Sequence, residues 1–470
     1  MRGSMRLLVS IIVLVLGFGL IFGAWVFTPY QDALAQETTN TAKTPFTDGI
    51  AHEGVMGCYG STCHSRQEAT GITVRQNEIL SWQDDTATTG AHYRAYRTLL
   101  NDRSKAIVAR LGLGPAQKAP QCLSCHTDGI GENLRGKKFQ IDDGVGCEAC
   151  HGGAGEWLTS HYGQGADHKD NLSRGLYKLE DPKTRAVVCL SCHLGSQAEG
   201  QFVNHRLMAA GHPRMSFELD LFTALQNHHS EDQDYKIRKS VASGARIWAI
   251  GQAMTLKQQL RLFQNPKLNR DGMFPELVFF DCQACHREIS EDPDWRPNAR
   301  PNPGRPYAPG LVKFNDSAMI MLLATAREIA PELAPKLDRQ IKAFHNAVSG
   351  NGGDVLSASS ALVRTADDLI DRVSKTGFTK IQTLDILDEI LTETLSYRYT
   401  DYVAAEQAIM AVDTLLSSMI ASRQVASLDV SDMRGEIEKA YLAVDNPNAY
   451  DQDKLIRALT VLNRRLKELR

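Results

Sequence analysis

Between Cys122 and His151 the chain repeats one five-residue phrase, Cys122-Leu123-Ser124-Cys125-His126 and Cys147-Glu148-Ala149-Cys150-His151. A C-x-x-C-H run is the attachment site of a c-type haem: both thiols form thioethers to the porphyrin vinyl groups, and the adjacent imidazole is carried under the iron. Two such sites this close imply two neighbouring haems. A chain built on them wraps its cofactors.

All ten cysteines fall into pairs that end in Cys-His: Cys58/Cys63-His64, Cys122/Cys125-His126, Cys147/Cys150-His151, Cys189/Cys192-His193 and Cys282/Cys285-His286. With 14 histidines placed at random in 470 residues, four C-x-x-C pairs would all be followed by His with probability on the order of one in a million. Disulfides need no His after the second Cys, and structural zinc uses paired knuckles without a fixed Cys-His dipeptide. The ten cysteines therefore read as attachment points for five covalent haem c groups, with His64, His126, His151, His193 and His286 as proximal ligands. The first motif is two residues longer than the others, and Gly60 is placed to absorb the bulge.

The formal charge of −3 offers no basic field for nucleic acid. Arg2 and Arg6 precede an apolar run from Leu7 to Phe27, and Ala33-Leu34-Ala35 has the form of a leader-peptidase site. Residues 1–35 thus read as a signal peptide or a membrane anchor. The length of the run favours the anchor, and its positive flank puts the rest of the chain on the periplasmic side.

Composition then divides the chain. Residues 36–50 read as a polar spacer, and 51–292 as a multihaem domain dense in Gly, Pro, Asn and Asp, with short helical patterns such as 91–99 and 241–262. Residues 293–314 are a Pro-rich linker that cannot be helical. Residues 315–470 hold no cysteine and only His345, and their periodicity is helical. Asp316 or Ser317 suits an N-cap, Pro331 suits the first turn of the next helix, and Ser349 to Gly353 is a break. From Lys380 to Arg423 there is no Gly or Pro, and Leu384, Leu387, Leu391, Leu395, Tyr399, Tyr402, Ala405, Ile409, Val412, Leu416 and Met419 follow helical spacing. That reads as one unusually long amphipathic helix, followed by shorter ones near 431–444 and 451–469. Its stripe is better explained as bundle core than as a dimer seam. The expected fold is mainly α: an N-terminal apolar helix, a loop-rich multihaem domain and a helical bundle.

The sixth ligand of each iron decides between electron transfer and small-molecule chemistry. Nine further histidines are available. His92 stands at the start of a helical pattern, and His161 follows a Gly-rich turn after Cys147/Cys150, beside whose haem it is expected. His205 and His212, seven residues apart, would share one helical face and serve two haems. His228 and His229 are adjacent, so one at most ligates, and His229 is taken as that residue. His52 is a further candidate, whereas His168 and His345 read as surface or bundle residues.

Trp82, His92, Ala95 and Leu99 after the first motif, the run Gly144 to Gly153 leading to His161, and the segment from His205 to Pro213 together resemble the multihaem cytochromes with a cytochrome c-554-like domain. The resemblance covers residues 51 to 293. It implies a helical, loop-rich fold with haems in parallel and perpendicular pairs, passing electrons in the periplasm. That type carries four haems, whereas five motifs stand here. Pentahaem nitrite reductases have a comparable C-terminal helical segment, but their C-x-x-C-K motif is absent.

The expected function is an exported pentahaem carrier between a membrane or quinol-linked donor and a periplasmic acceptor such as another cytochrome. The alternative is an oxidoreductase with one five-coordinate haem, at Cys58/Cys63, acting on a small nitrogen or sulfur compound. Self-association through the C-terminal helices is a further expectation.

Overall fold

The computed structural model describes residues 48–68, 76–228, 235, 239, 241–270, 275–282, 285–286, 307, 311–396, 402–447 and 450–470. The N-terminal apolar run, most of the spacer, most of the Pro-rich linker and His229 lie outside these residues. Among the described residues the fold is helical, with two isolated β-bridges, His52 to Arg135 and Phe280 to Phe314.

The motif-bearing half is a string of short helices joined by turns. Three of them, Pro120–His126, Cys147–His151 and Pro182–His193, end on the motif histidine itself. Proline at the first turn starts two of these helices, and Asp181 also caps the second of those two, Pro182–His193, by accepting from Lys183 N at 3.0 Å. A helical turn sets residues i, i+3 and i+4 on one face, so Cys, Cys and His of each motif project together. In the fifth motif, His286 N donates to Cys282 O at 2.8 Å, the same turn in miniature. In the longer first motif, a Cβ at Gly60 would sit 3.2 Å from Cys63 Sγ, which is why that bulge takes glycine.

Eight longer helices among the described residues build the bundle: α1 (Gly244–Gln264), α2 (Ser317–Ile329), α3 (Ala334–Val348), α4 (Val355–Lys375), α5 (Lys380–Leu395), α6 (Tyr402–Ala421), α7 (Ser427–Ala443) and α8 (Gln452–Glu468). Helix α1 is mostly buried, with Trp248, Ala249, Ile250, Leu256, Leu260 and Leu262 inaccessible to solvent, as suits a central core helix. It packs on α2, α4 and α6, and also on the motif helix Pro182–His193 and on the helix Leu219–Leu225. A segment read from sequence as part of the multihaem half is thus the centre of the bundle.

The single long helix expected over 380–423 is two helices. Helix α5 is opened by a capping box between Thr379 and Gln382 and stops at Ser396; α6 begins at Tyr402 and packs back on α5. Neither Gly nor Pro was needed for the break. Both helices bury wide apolar faces against α2, and folding back covers more of them than a straight rod could. The stripe itself is core: Leu384, Leu387, Leu391, Tyr402, Ala405, Ile409, Val412, Leu416 and Met419 are all buried. Helix α6 is long and apolar enough to cross a membrane, but it is mostly buried inside the protein. Tyr397 and Tyr399 lie outside the described residues, whereas Tyr402 packs on Tyr450 and its hydroxyl donates to Val444 O. Asp316 does stand before α2, without a side-chain cap bond, and Pro335 rather than Pro331 occupies the first turn of α3.

Candidate haem sites

Each motif histidine faces one histidine from elsewhere in the chain. Ring centres are 6.3 Å apart for His64 and His161, 6.4 Å for His126 and His212, 6.3 Å for His151 and His228, 6.2 Å for His193 and His92, and 6.2 Å for His286 and His205. These rings are too far apart to touch. An iron held between two imidazoles, about 2 Å from each bonded nitrogen, sets ring centres roughly 6 Å apart. Five pairs at one spacing fit that group, and each pair has a Cys pair beside it.

The motif alone makes the ten cysteines equivalent, but the structure does not. Contrary to that equivalence, Cys285 of the fifth motif is exposed, as is Cys63 of the first, whereas the other eight are half-buried. The reason is position in the array. The thiols of Cys58 and Cys147 meet between motifs, as do those of Cys125 and Cys192, so each covers the other. Cys285 sits on the outer side of the last turn, its N–H donating to Cys282 O at 3.2 Å, and His286 beside it is exposed too.

The outward nitrogens are held. His64 Nδ1 donates to Glu78 Oε2 at 3.0 Å, His126 Nδ1 to Ala95 O at 2.9 Å, His161 Nδ1 to Leu158 O at 2.5 Å, His212 Nδ1 to Pro213 O at 2.8 Å and His228 Nδ1 to Gln226 O at 2.8 Å. Such bonds fix the tautomer and leave Nε2 to face the metal. Burial holds His193 down to about 4; burial, with repulsion from His193 and His228, does the same for His92. Burial also lowers His126 and His212. These four rings are neutral at physiological pH, the form that coordinates. His64 is shifted the other way, chiefly by its hydrogen bond to Glu78.

Four of the five sequence-named partners, His92, His161, His205 and His212, take part in this pairing. His161 faces His64 of the first motif rather than the neighbouring His151; Leu158, three residues before it, lies beside Gly57 at the start of that motif. His205 and His212 do serve different motifs, but by another route: the helix His205–Ala209 ends before Gly211, whose positive φ of 118° turns His212 away. His228 is the residue opposite His151.

His52 faces no motif histidine. It is fully buried, with Nδ1 2.6 Å from Asp128 Oδ2 and Nε2 3.3 Å from Asp48 Oδ2. Burial opposes its charge, but the two carboxylates outweigh burial and raise it to about 10, so the ring is an imidazolium. Asp48 also accepts from Gly153 N and Tyr177 Oη. Beside them Glu148, inside the third motif, accepts from Glu53 N, Gly54 N and Ala154 N at 2.6–2.8 Å and pins two loops to the motif. His168 is bonded to Glu180 at 2.9 Å, and His345 is buried in the bundle between Tyr307 Oη and Asp316.

Further contacts join the motifs. Gln201, fully buried, donates to both Ser124 O at 3.3 Å and Cys192 Sγ at 3.5 Å. The helices Cys147–His151 and Pro182–His193 pack together. Trp82 Nε1 donates to Val145 O at 3.1 Å, fastening the helix after the first motif to the third. Phe217 stacks on His193 with ring centres 5.2 Å apart.

Residues 57–152, which span three of the motifs together with His92, match the family described as cytochrome c554 and c-prime. Residues 57–152 are a cytochrome c-554-like domain. Cytochrome c-554 of Nitrosomonas europaea is 30% identical over 153 residues, 30% of this chain and 57% of that relative. The chain thus spans little more than half the length of the curated relative it matches. No solved structure matches the chain. C-type cytochromes bind haem c covalently, in keeping with the Cys pairs at each histidine pair. The c-554-like domain holds the first three motifs, while the partners of its motif histidines, His161, His212 and His228, lie beyond its last matched residue.

Proposed function

We propose that this chain is an exported electron-transfer protein holding five haem c groups, each between two histidines, and that it relays electrons from a membrane or quinol-linked donor to a periplasmic acceptor. The observation that carries the reading is the common 6.2–6.4 Å separation of the five histidine pairs. When bound, haem c supplies a reversible one-electron couple. Each motif histidine and the histidine facing it would hold the iron between them, and the chain fixes ring tautomers through Nδ1 and keeps the buried imidazoles neutral. With both sides of the iron so held, a small substrate would have no place to bind. The enzyme alternative centred on Cys58/Cys63 is disfavoured because His161 faces His64 there.

Contacts among protein groups support a serial order of sites. The first motif adjoins the third through Cys58 and Cys147, the third adjoins the fourth through their packed helices, and the fourth adjoins the second through Cys192, Gln201 and Cys125. The second and fifth are joined by the short segment that carries both His205 and His212. The apolar run near the N-terminus supports export and attachment on the periplasmic side.

Pyridine haemochrome and electron paramagnetic resonance of the oxidised holoprotein test the proposal. Five haems per chain and only low-spin ferric signals are expected. Four haems, or a high-spin ferric signal in the native protein, would overturn it.

A further inference from the structure

At the first haem site the ring is held by a charged group: His64 Nδ1 donates to a carboxylate, Glu78 Oε2 at 3.0 Å, whereas the rings of His126, His161, His212 and His228 donate to backbone carbonyls. A carbonyl orients an imidazole. A carboxylate also draws on the Nδ1 proton, makes the ring more electron-rich and favours the more highly charged ferric iron on its far side.

The chain goes to some length to place this carboxylate. Glu78 opens the helix Glu78–Trp82, whose Ile79 and Trp82 are buried against Val55, with Cys58 and Cys147 packed alongside. Ile79 N donates to His64 O at 3.0 Å, tying the start of that helix to the motif histidine. Two residues earlier Gln76 has φ of 57°, a left-handed conformation uncommon for a residue with a side chain. It is held there from both ends: Gln76 O accepts from Arg66 N at 2.8 Å, and Gln76 Nε2 donates to Thr62 O inside the first motif at 3.1 Å. Strain of this kind persists only where the surroundings over-determine it. Here the surroundings are the motif on one side and the carboxylate on the other.

We infer that Glu78 is a positioning residue that tunes the first haem site through His64, lowering that site's potential. The inference rests on the five-site reading above. A tether without electronic effect is the competing account, since an exposed ion pair contributes little stability and would leave potentials alone.

Potentiometric titration of the holoprotein, followed by visible absorbance, with electron paramagnetic resonance of the oxidised form, separates them. Wild type should titrate in five one-electron steps. Glu78→Gln keeps an acceptor of the same shape and removes the charge; it should raise one midpoint potential and displace one low-spin signal while the other four hold. Glu78→Asp should restore the wild-type values. Five unchanged potentials in Glu78→Gln, or a common shift of all five, would overturn the role of Glu78. Fewer than five steps in wild type would instead overturn the five-site reading, so the two failures are distinct.

Discussion

His64 and His161 lie nearly parallel, 13° between ring planes, with their centres 6.3 Å apart. Trp157 packs edge-on against His161 at 5.5 Å and fixes it in that place. Replacing His161 by Ala should open one axial position at the first motif. One high-spin ferric signal and binding of one carbon monoxide per chain on reduction are expected, with haem content unchanged. A wholly low-spin spectrum of His161→Ala would show that another group fills the position.

The adjacent histidines at 228 and 229 make a sharper comparison. His228 faces His151, so His228→Ala should produce one high-spin site and His229→Ala none. The reverse result in the same resonance experiment would move the ligand by one residue.

Stability should report the buried imidazolium. His52 has a folded-state value of about 10, above the ordinary value of 6.5, so its contribution is complete below pH 6.5 and is lost as pH rises through about 10. His52→Gln leaves Asp48 and Asp128 without their shared counter-charge and should cost roughly 3–5 kcal/mol at neutral pH. Guanidinium unfolding at pH 7 and pH 10 should show wild type losing stability between them and the variant losing much less.

Glu218 gives a pH dependence in a lower window. It is buried beside Phe217 and accepts from Asp220 N, Leu221 N and Thr414 Oγ1. Burial raises it to about 7, and the backbone hydrogen bonds only partly oppose this. With the folded value above the unfolded one, stability is fully present below about pH 4.5 and declines as pH rises through 7, by on the order of 3 kcal/mol. Glu218→Gln should flatten that decline between pH 5 and 8 in the same unfolding assay.

Packing makes a simpler contrast. Leu256 in α1 is fully buried and Leu356 in α4 is 54% exposed. Leu256→Ala should cost about 2–5 kcal/mol and Leu356→Ala less than about 0.5 kcal/mol, read as shifts of the unfolding midpoint.

The Cys-Cys-His phrases were legible in the sequence because thioether attachment is local chemistry: two thiols and an imidazole must sit within one turn of chain. What the motif could not carry is how each thiol is covered, which is why Cys285 and Cys147 look alike in sequence and differ in exposure. The residues opposite the motif histidines were legible as types but less so as pairs. His161 stands beside the third motif in sequence and faces the first in space, since a Gly-rich turn has no direction until Trp157 and Leu158 pack. His52 carries no local mark that separates a metal ligand from an ion-pair partner; Asp128, far along the chain, makes the difference. Glu78 was missed for the same reason, although a carboxylate fourteen residues after a motif histidine could have been flagged. Apolar spacing announced the bundle, but the fold-back at Ser396 depends on what α2 covers, which periodicity does not carry.

Helix α1 touches the fourth motif's helix along one side and α2, α4 and α6 along others. Anyone transplanting the bundle onto another cytochrome, or trimming it away, would find that the cut in the Pro-rich stretch divides the wrong things: Trp248 and Leu256 would be left facing water. A cut before Gly244 would in turn part His286 from His205 and α1 from the fourth motif's helix, so the haem-bearing stretch and the bundle share one core and a graft has to carry both.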